Sequence, residues 1–427
     1  MKYSIQNINL YGVFFVILLA TEYFYIEIGG GVARIYHFIA PIFVIVLSSY
    51  IPLLFKSNVF LSVFAFFIIN LLAAALSANA YNAFTSILLL GGNITIAIAT
   101  ALILISGKVD LEYLKRIIIT ITVISVLWSV VQVIGFNYFD VKLGLSEIQN
   151  LQILRGFGTG FRTEANTFAK YLNFAFLLIL PSFLRENFTK KTMFVIIIFI
   201  VGMLLCFTRS ALYGLIVTLF FILLWYMLKS RSEKISKRFV YISVLTIIGF
   251  SIFVVYVSNF NAYTLHKIQY FLDTNEILEG SSSKFRLNSQ EILIDAFLSN
   301  SDTVLFGNGW GQVTYYYGGK LWQAGGGELI TTLAYGGFLS GITYIIYIFN
   351  SFTAAKKMEL LYKGQKESVT YEGIMFAIVG SFITGQINGS LNAPEYWLLI
   401  GIAIYLGYRS VSFKKYQWLD RKILYKS

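Results

Sequence analysis

Arginines at the ends of apolar segments are the residues of this sequence best suited to chemistry. The stretch LQILRGFGTGFRTEANTFAKYLNF holds two of them among glycines, immediately before an apolar run. A guanidinium is planar, stays protonated and binds phosphate oxygens through paired hydrogen bonds. The predicted ligand is therefore a phosphate or diphosphate group. The candidate diphosphate-binding residues are Arg155, Arg162, Arg209 and Arg286.

Ion pairing offers a second explanation for these arginines. Each could be neutralised by Glu147, Glu164 or Glu291, or could contact lipid headgroups. A reaction at a hydroxyl group would also need a carboxylate as base. Glu164 is the first catalytic candidate because it stands beside arginines where an apolar segment begins, and Glu328 is the second. Glu164 could equally serve only to hold a neighbouring arginine in place.

Aromatic residues cluster around the glycine-rich sequence LFGNGWGQ. Their flat faces suit stacking on sugar rings. Tryptophan and tyrosine are also common at membrane interfaces, where they need no ligand. Both interpretations stay open at this point. The candidate glycan-binding residues are Trp310, Tyr315, Tyr316 and Trp322.

The sequence offers few ligands for a metal ion. It contains two histidines, His37 and His266, and neither an Asp-x-Asp pair nor a P-loop pattern. We therefore expect no metal and no other cofactor. The single cysteine, Cys206, cannot form a disulfide within the chain.

Composition predicts the fold class. The 427 residues are 57% hydrophobic and only 13% charged, and the apolar residues come in runs of about 18 or more, enough to cross a bilayer as helix. We predict an all-α polytopic integral membrane protein, with one transmembrane domain over 1–427 and about 12 transmembrane helices. The predicted spans are 8–27, 36–55, 58–77, 84–106, 116–135, 166–184, 193–208, 210–228, 238–258, 327–352, 371–388 and 395–410.

Charge distribution predicts the orientation. With both termini in the cytoplasm, most of the 33 Lys and Arg residues fall on the cytoplasmic side. This bias explains the net charge of +12 without a nucleic-acid partner. It requires a helix break at the TRS sequence, 208–210, and leaves two long segments outside, 136–165 and 259–326. Within the second, 283–300 has the apolar spacing of an amphipathic helix lying on the membrane surface.

These motifs together resemble the O-antigen polymerase (Wzy) and O-antigen ligase superfamily, whose members are GT-C-related membrane proteins. The similar segments are RGFGTGFRTEANTFAKYL, CFTRSALYGLIVTLF, RLNSQEILIDAFLSNSDTVLFGNGWGQ, LITTLAYGGFLSGITYI and NAPEYWLLIGIAIYLG. Ala165 stands where the family has a proline. The sequence AGGGELI lacks the histidine that ligases carry before the penultimate outer span, which favours a polymerase and leaves Glu328 as the titratable group there.

The resemblance implies a metal-independent inverting glycosyltransferase in the bacterial inner (plasma) membrane. Such an enzyme joins undecaprenyl-diphosphate-linked repeat units into O-antigen or capsular polysaccharide on the extracytoplasmic face and releases undecaprenyl diphosphate. The implied partners are this lipid-linked oligosaccharide, membrane lipid, a chain-length regulator and a flippase. An O-antigen ligase is the enzymatic alternative, and a lipid-linked oligosaccharide flippase is the alternative that is not an enzyme.

Overall fold

The computed structural model describes residues 9–28, 31–154, 157–185, 190–206, 208–229, 281–317, 320–389 and 391–424. For a few of these residues, among them Arg209, Arg286 and Trp322, only the backbone is described. Arg155 and the predicted span 238–258 lie outside the described residues.

The first part of the chain consists of apolar helices and one small hairpin. A 3-10 turn, Ser48–Tyr50, precedes the short helix α3, and strands β1 and β2 pair antiparallel. The elements are α1 (Leu10–Ala20), β1 (Tyr25–Ile28), β2 (Gly31–Arg34), α2 (Ile35–Val46), α3 (Ile51–Leu54), α4 (Asn58–Leu76), α5 (Ala80–Ile105), α6 (Leu111–Phe139), α7 (Glu147–Leu154), α8 (Ala165–Arg185), α9 (Lys190–Cys206) and α10 (Arg209–Lys229).

The second part combines three short elements, α12, β3 and β4, with four longer helices. Strands β3 and β4 form an antiparallel hairpin in which Tyr315 is in register with Trp322. The elements are α11 (Ser281–Leu298), α12 (Ser301–Phe306), β3 (Thr314–Tyr317), β4 (Lys320–Gln323), α13 (Glu328–Leu361), α14 (Glu367–Asn388) and α15 (Pro394–Leu424).

The predicted all-α polytopic fold class is confirmed at the level of its helices. Within the described ranges, six helices, α4, α5, α6, α8, α13 and α14, are long and apolar enough to cross a membrane. The pair Ile35–Val46 and Ser48–Leu54, bent by 68°, could form a seventh span. Every predicted span except 238–258 overlaps a described helix, and the predicted break at 208–210 coincides with the end of α9 and the beginning of α10. The number twelve stays a prediction.

Helices α8 and α10 both run antiparallel to α14. A Cβ on Gly214 of α10 would touch Thr384, and one turn further along, Thr218 lies against Gly380. On the other side of α14, Leu177 of α8 also lies against Gly380. Antiparallel packing puts the first turns of α8 and α10 level with the last turn of α14. We call this the loop end of the bundle; the segments 157–164 and 391–394 lie there.

Helix α13 is broken near the end of its first third by Gly337, whose φ is +72° and ψ is −174°. The break leaves the carbonyls of Ala334 and Tyr335 without partners inside the helix. The glycine-rich sequence LFGNGWGQ supplies the missing donors. The Asn308 N–H and the Asn308 side-chain amide each donate to Ala334 O at 3.0 Å. The Gly309 N–H donates to Tyr335 O at 2.9 Å. The Asn308 amide also donates to Ala296 O of α11 at 3.0 Å.

A helix over the predicted amphipathic segment is confirmed as α11. On the predicted apolar face, Leu293 is buried, and Ala296 and Phe297 pack against the core. This face therefore meets protein. A second apolar row, Leu287 and Leu298 among its members, is exposed on α11.

The glycine-rich stretch before α8 is folded into the bundle against α6. The Gln132 side-chain oxygen accepts hydrogen bonds from the N–H groups of Thr159, at 3.1 Å, and Gly160, at 3.2 Å. A Cβ on Gly158 would lie 1.8 Å from the Ser129 hydroxyl oxygen. These glycines therefore allow close packing on helix α6.

Gly337→Ala tests whether the close packing of the break in α13 against the glycine-rich loop stabilises the protein. A Cβ on Gly337 would meet the Leu305 carbonyl oxygen at 2.2 Å, and backbone cannot move aside cheaply. Gly107, with φ +68° and open space around it, is the matched control. The positive φ disfavours alanine in both Gly337→Ala and the control Gly107→Ala. We expect Gly337→Ala to cost a further ~1–3 kcal/mol of stability by overpacking.

Thermal unfolding of the two variants in detergent measures this difference. Equal midpoints for the two variants would show that this close packing does not stabilise the protein.

Candidate functional site: a cavity at the loop end and a buried arginine cluster

A cavity of about 540 Å³ opens at the loop end of the bundle. It lies between the beginning of α13, the end of α14 and the segment that leads into α15. This volume falls within the range of small-molecule sites. Its lining residues are Gln290, Trp310, Gln323, Ala324, Gly325, Gly326, Glu328, Thr331, Tyr335, Ile387, Gly389, Leu391 and Asn392.

Glu328 is the one carboxylate among the described lining residues. It is the first residue of α13, and its side chain is only 1% exposed. The Tyr344 hydroxyl donates a hydrogen bond to it. Gln386 of α14 holds the Tyr344 hydroxyl and the first turn of α13 in place. Its amide N–H donates to the Tyr344 oxygen at 3.2 Å, and its carbonyl accepts from the Leu329 N–H at 3.1 Å. The carboxylate is thus held in one orientation at the cavity wall.

Aromatic rings form another wall of the cavity. Trp310 is packed edge-on to Tyr335, with ring centroids 5.6 Å apart, and to Phe66 at 6.3 Å. The Tyr335 hydroxyl donates to the carbonyl of Ala324, another lining residue. Trp310 follows directly after the loop residues that cap α13, so the same contacts that satisfy the broken helix also fix the indole.

Neutral hydrogen-bonding groups complete the lining. Gln290, Gln323 and Asn392 each bring a side-chain amide, which both donates and accepts. The glycine segment between β4 and α13 is tied to α11, because the Ser289 hydroxyl donates to Gly325 O at 2.7 Å and accepts from its N–H at 2.8 Å. Amides, aromatic rings and one carboxylate together suit a neutral polyhydroxylated ligand such as a glycan.

Arg162 lies outside this cavity, in a buried ion-pair cluster. Its guanidinium is fully buried and lies 2.7 Å from a Glu22 oxygen and 3.3 Å from a Glu395 oxygen. It also covers the Tyr171 ring, with its central carbon 4.3 Å from the centroid. Arg34 adds a second cation, 3.3 Å from Glu22. These contacts join the hairpin after α1, the loop before α8 and the first turn of α15.

The surroundings of Arg162 keep it charged. Burial alone would lower the pKa of this guanidinium, but Glu395 and Glu22 outweigh burial and raise its pKa above the usual value. Its backbone is fixed as well, because the Gln149 amide donates to the Arg162 carbonyl at 2.6 Å. Arg162 was predicted to bind a diphosphate, but two carboxylates and a tyrosine ring already enclose it. Its surroundings therefore indicate a structural role.

The other predicted residues are distributed as follows. Glu164 is exposed just before α8, and its carbonyl accepts from Thr167 and Phe168, so it begins the helix. Glu22 and Glu395, rather than Glu164, hold Arg162. Among the candidate aromatics, Tyr315 is buried, whereas Tyr316 is 79% exposed.

Two predicted arginines can be placed by their backbone positions. Arg209 begins α10 and is therefore level with the last turn of α14, which contributes Ile387 to the cavity lining. Arg286 stands one turn before Gln290 on α11, and Gln290 also lines the cavity. Glu328, Trp310, Arg209 and Arg286 thus belong to segments that meet at the loop end.

Sequence reasoning missed three charged residues at this end: Glu22, Glu395 and Lys170. Each is a lone charge within or beside an apolar segment, a pattern that indicates a buried partner or a site. The Lys170 ammonium donates to the carbonyl of Gly389, a cavity-lining residue. Within the described residues, no three His, Cys, Asp or Glu side chains are grouped so as to hold a metal ion.

Comparison with known proteins gives no assignment for this chain. No protein-family model matches it, and no curated protein matches it. The resemblance to the O-antigen polymerase and ligase superfamily therefore rests on the motifs quoted above.

Arg162→Met tests the structural role of the ion-pair cluster. Removing one partner of a buried pair leaves a carboxylate in a low-dielectric surrounding, which costs about 3–5 kcal/mol. We expect Arg162→Met to unfold at a clearly lower temperature in detergent. Arg116→Met, the loss of an exposed arginine near the beginning of α6, should leave the midpoint nearly unchanged.

Combining Arg162→Met with Glu395→Gln should recover part of the loss, because the orphaned charge is then removed. A midpoint for Arg162→Met equal to that of the Arg116 control would contradict the role.

Proposed function

We propose that the protein is a glycosyltransferase that polymerises lipid-linked oligosaccharide repeat units. The donor is the growing glycan attached through its reducing-end sugar to undecaprenyl diphosphate. The acceptor is a hydroxyl group on the non-reducing sugar of a new lipid-linked unit. The product is a longer glycan of O-antigen or capsular type, and the released group is undecaprenyl diphosphate.

One observation carries this proposal: Trp310 and Glu328 line the same cavity. The indole offers an aromatic face for a sugar ring, and the carboxylate is the group there that can take a proton. Both were selected from the sequence for these roles. The surrounding amides of Gln290, Gln323 and Asn392 can bond sugar hydroxyls as donors and acceptors.

In the proposed reaction, the oxygen of the acceptor hydroxyl attacks the anomeric carbon of the donor. Glu328 accepts the proton of that hydroxyl at the same time. The new C–O bond forms on the face opposite the diphosphate, the bond from the anomeric carbon to the diphosphate oxygen breaks, and the configuration inverts. The electron pair of the broken bond stays on the diphosphate. The hydrogen bond from Tyr344 keeps the carboxylate oriented toward the cavity.

The departing diphosphate needs positive charge close to it. Arg209 and Arg286 are the proposed sources, since their backbone positions adjoin segments that line the cavity. We assign the same role to Arg155 on the basis of the sequence alone. Arg162 contributes instead by holding α15, and with it the lining segment 391–392, against α8.

The wider setting belongs to the same proposal. Twelve spans would set both termini in the cytoplasm of a bacterium and the loop end on the outer face of its inner membrane. This orientation agrees with the basic bias of the opposite segments. It would expose the cavity to lipid-linked units after a flippase has delivered them, and a chain-length regulator would act beside it.

Glu328→Gln tests the role of the proposed base. The amide preserves size and hydrogen bonding but cannot accept the proton, so we expect elongation to slow by roughly 10²–10⁴-fold. The assay supplies purified protein with lipid-linked repeat units alone and separates products by length. Glu164→Gln, at the other candidate carboxylate, is the matched control and should elongate normally.

Undiminished elongation by Glu328→Gln would contradict the assignment. If wild-type protein made no ladder from these units but moved finished glycan to a lipid A core acceptor, the protein would be a ligase.

Arg209→Ala tests the proposed leaving-group contact in cells. We expect long-chain glycan to disappear while the protein still inserts and accumulates, because the diphosphate charge loses a stabilising partner. Arg209→Lys should restore little if paired hydrogen bonds matter. Arg116→Ala, at the opposite end of the bundle, should give a normal ladder.

A normal ladder from Arg209→Ala would remove this residue from the mechanism. Repeat units trapped on the inner face of cells that lack the protein would indicate a flippase instead.

A further inference from the structure

Arg409 carries a guanidinium at the end of the bundle opposite the loop end, where the proposed reaction assigns it no role. It lies on α15, one turn after Tyr405. Its Nη1 donates to the hydroxyl oxygens of Tyr371, at 3.1 Å, and Tyr405, at 3.2 Å, and its Nη2 donates to that of Tyr362 at 2.8 Å. We call these three residues the tyrosine cluster. Arg409 thereby joins the turn after α13, the beginning of α14 and the middle of α15.

The tyrosine cluster satisfies hydrogen bonds of Arg409 but does not neutralise its charge. Arg34, Arg162 and Arg185 each form an ion pair with a glutamate. No carboxylate of the described residues forms such a pair with Arg409. Its side chain is half-buried, and a partly desolvated cation is unfavourable unless a negative group lies against it. An anionic ligand would therefore be stabilised at this position.

The donors that remain on Arg409 have the geometry of an anion site. A guanidinium has five N–H groups, and the tyrosine cluster accepts from three of them. Within the described part of the chain, Nε has no acceptor, yet it is not among the buried atoms that lack a partner, so it reaches the surface. Nε and Nη2 share one edge of a guanidinium. Such an edge binds two phosphate oxygens through paired hydrogen bonds.

Two carboxylates act on the tyrosine cluster through space, Asp110 on Tyr405 and Glu367 on Tyr371. Both are exposed, and Asp110 already accepts from the Tyr113 N–H at 2.6 Å as the cap of α6.

The segments around these carboxylates carry an excess of positive charge. In the turns 106–110 and 362–367, Lys108, Lys363 and Lys366 outnumber the two carboxylates, and Arg409 adds a fourth cation. In the adjoining helix turns, Glu112 and Lys115 cancel. The charged residues that remain in those turns are Arg116, Arg185, Lys356 and Lys357 against Glu359 and Glu372. The excess therefore stays positive when every one of these residues is counted.

The depth of the site matches that of lipid headgroups. Helix α14 is a candidate membrane span from Glu367, and Tyr371 lies one turn inside this beginning. Arginine extends toward the membrane surface from such positions, and tyrosine is common there. In the proposed orientation this end faces the cytoplasm. The guanidinium then lies near the phosphate groups of the cytoplasmic leaflet.

We propose that Arg409 and the tyrosine cluster form a binding site for a phosphate group, occupied by the headgroup of an anionic phospholipid of the cytoplasmic leaflet. The phosphate oxygens accept from the Nε and Nη2 edge of Arg409. Tyr405, whose oxygen accepts from Arg409, donates its own hydroxyl proton to the same phosphate. A free phosphate compound shares this chemistry, and the depth of the site favours the lipid. The site is at the other end of the bundle from the cavity, so it does not rest on the proposed reaction.

The competing explanation is that Arg409 only cross-links three helices through phenol oxygens. It predicts that substitution of Arg409 lowers the unfolding temperature. It also predicts that lipids with and without a phosphate bind alike, because no phosphate contacts the guanidinium.

The experiment measures lipid binding to the purified full-length protein, delipidated in detergent, by native mass spectrometry. Dioleoyl phosphatidylglycerol presents the anionic headgroup, and dioleoylglycerol presents the same chains without a phosphate. Glycerol 1-phosphate, added as a competitor, presents the headgroup without chains. Arg409→Gln removes the charge, and Tyr405→Phe removes one hydroxyl but keeps the ring. Arg116→Gln removes an equal charge from an exposed position at the same end of the bundle and is the matched control.

We expect wild type and the Arg116 control to bind phosphatidylglycerol equally, and Arg409→Gln to bind it at least about tenfold more weakly, as for a lost charged hydrogen bond. Tyr405→Phe should weaken binding a few-fold while its unfolding midpoint stays close to that of wild type. Dioleoylglycerol should bind wild type and Arg409→Gln alike. Glycerol 1-phosphate should compete poorly; competition at the concentration of the lipid would identify a free phosphate compound in the same site.

Three results would overturn the site: equal binding of phosphatidylglycerol and dioleoylglycerol to wild type, equal affinity of Arg409→Gln and wild type for phosphatidylglycerol, or an equal loss in the Arg116 control. If Arg409→Gln does not fold, the comparison of the two lipids on wild type and the affinity of Tyr405→Phe decide. Unchanged phosphatidylglycerol binding by Tyr405→Phe would then exclude the tyrosine cluster from the site.

Discussion

The burial of Arg162 between Glu22 and Glu395 is the constraint on which the loop end depends. A guanidinium without its carboxylates would be costly in this surrounding, so the three segments that carry these residues must stay together. They are the turn between α1 and β1, the loop before α8 and the beginning of α15. Holding them in place also fixes Leu391 and Asn392, which line the cavity just before α15.

A second constraint comes from unsatisfied backbone. The break at Gly337 exposes two carbonyls of α13, and a broken helix inside an apolar bundle is stable only when other groups satisfy them. Asn308 and Gly309 do so, and the chain then continues directly into Trp310. The first half of α13 carries Glu328. The hydrogen bonds of Asn308 and Gly309 to α13 therefore fix the position of Trp310 relative to the helix that carries Glu328.

Much of the fold was predictable because membrane helices are long and apolar. The six described helices that are long enough to cross a membrane, the helix break near 208–210 and the helix within 283–300 all follow from apolar run length and spacing. The break in α13 did not, because AYGGFLS reads as a continuous apolar helix in sequence. Its hydrogen-bonding partner, Asn308, belongs to another segment.

Residues of the candidate site could be predicted only where the residue type alone indicated a role. Trp310 and Glu328 stood out by chemistry alone and line one cavity. The partners of Arg162 could not be predicted, because the closer of them, Glu22, is 140 residues away in sequence. Ion pairs of that separation depend on how helices pack, which residue spacing does not encode. Lys170 was missed for a similar reason, since its hydrogen-bond partner, Gly389, is 219 residues away.

The proposed polymerising reaction has one chemical requirement that neither transport nor simple binding has. Attack opposite the diphosphate must invert the configuration at the anomeric carbon. The decisive measurement is the NMR assignment of the new linkage made by purified wild-type protein from a single defined lipid-linked repeat unit, with a chelator present. The account predicts a ladder whose internal linkages are inverted relative to the donor; retained configuration, or no new linkage at all, would contradict it.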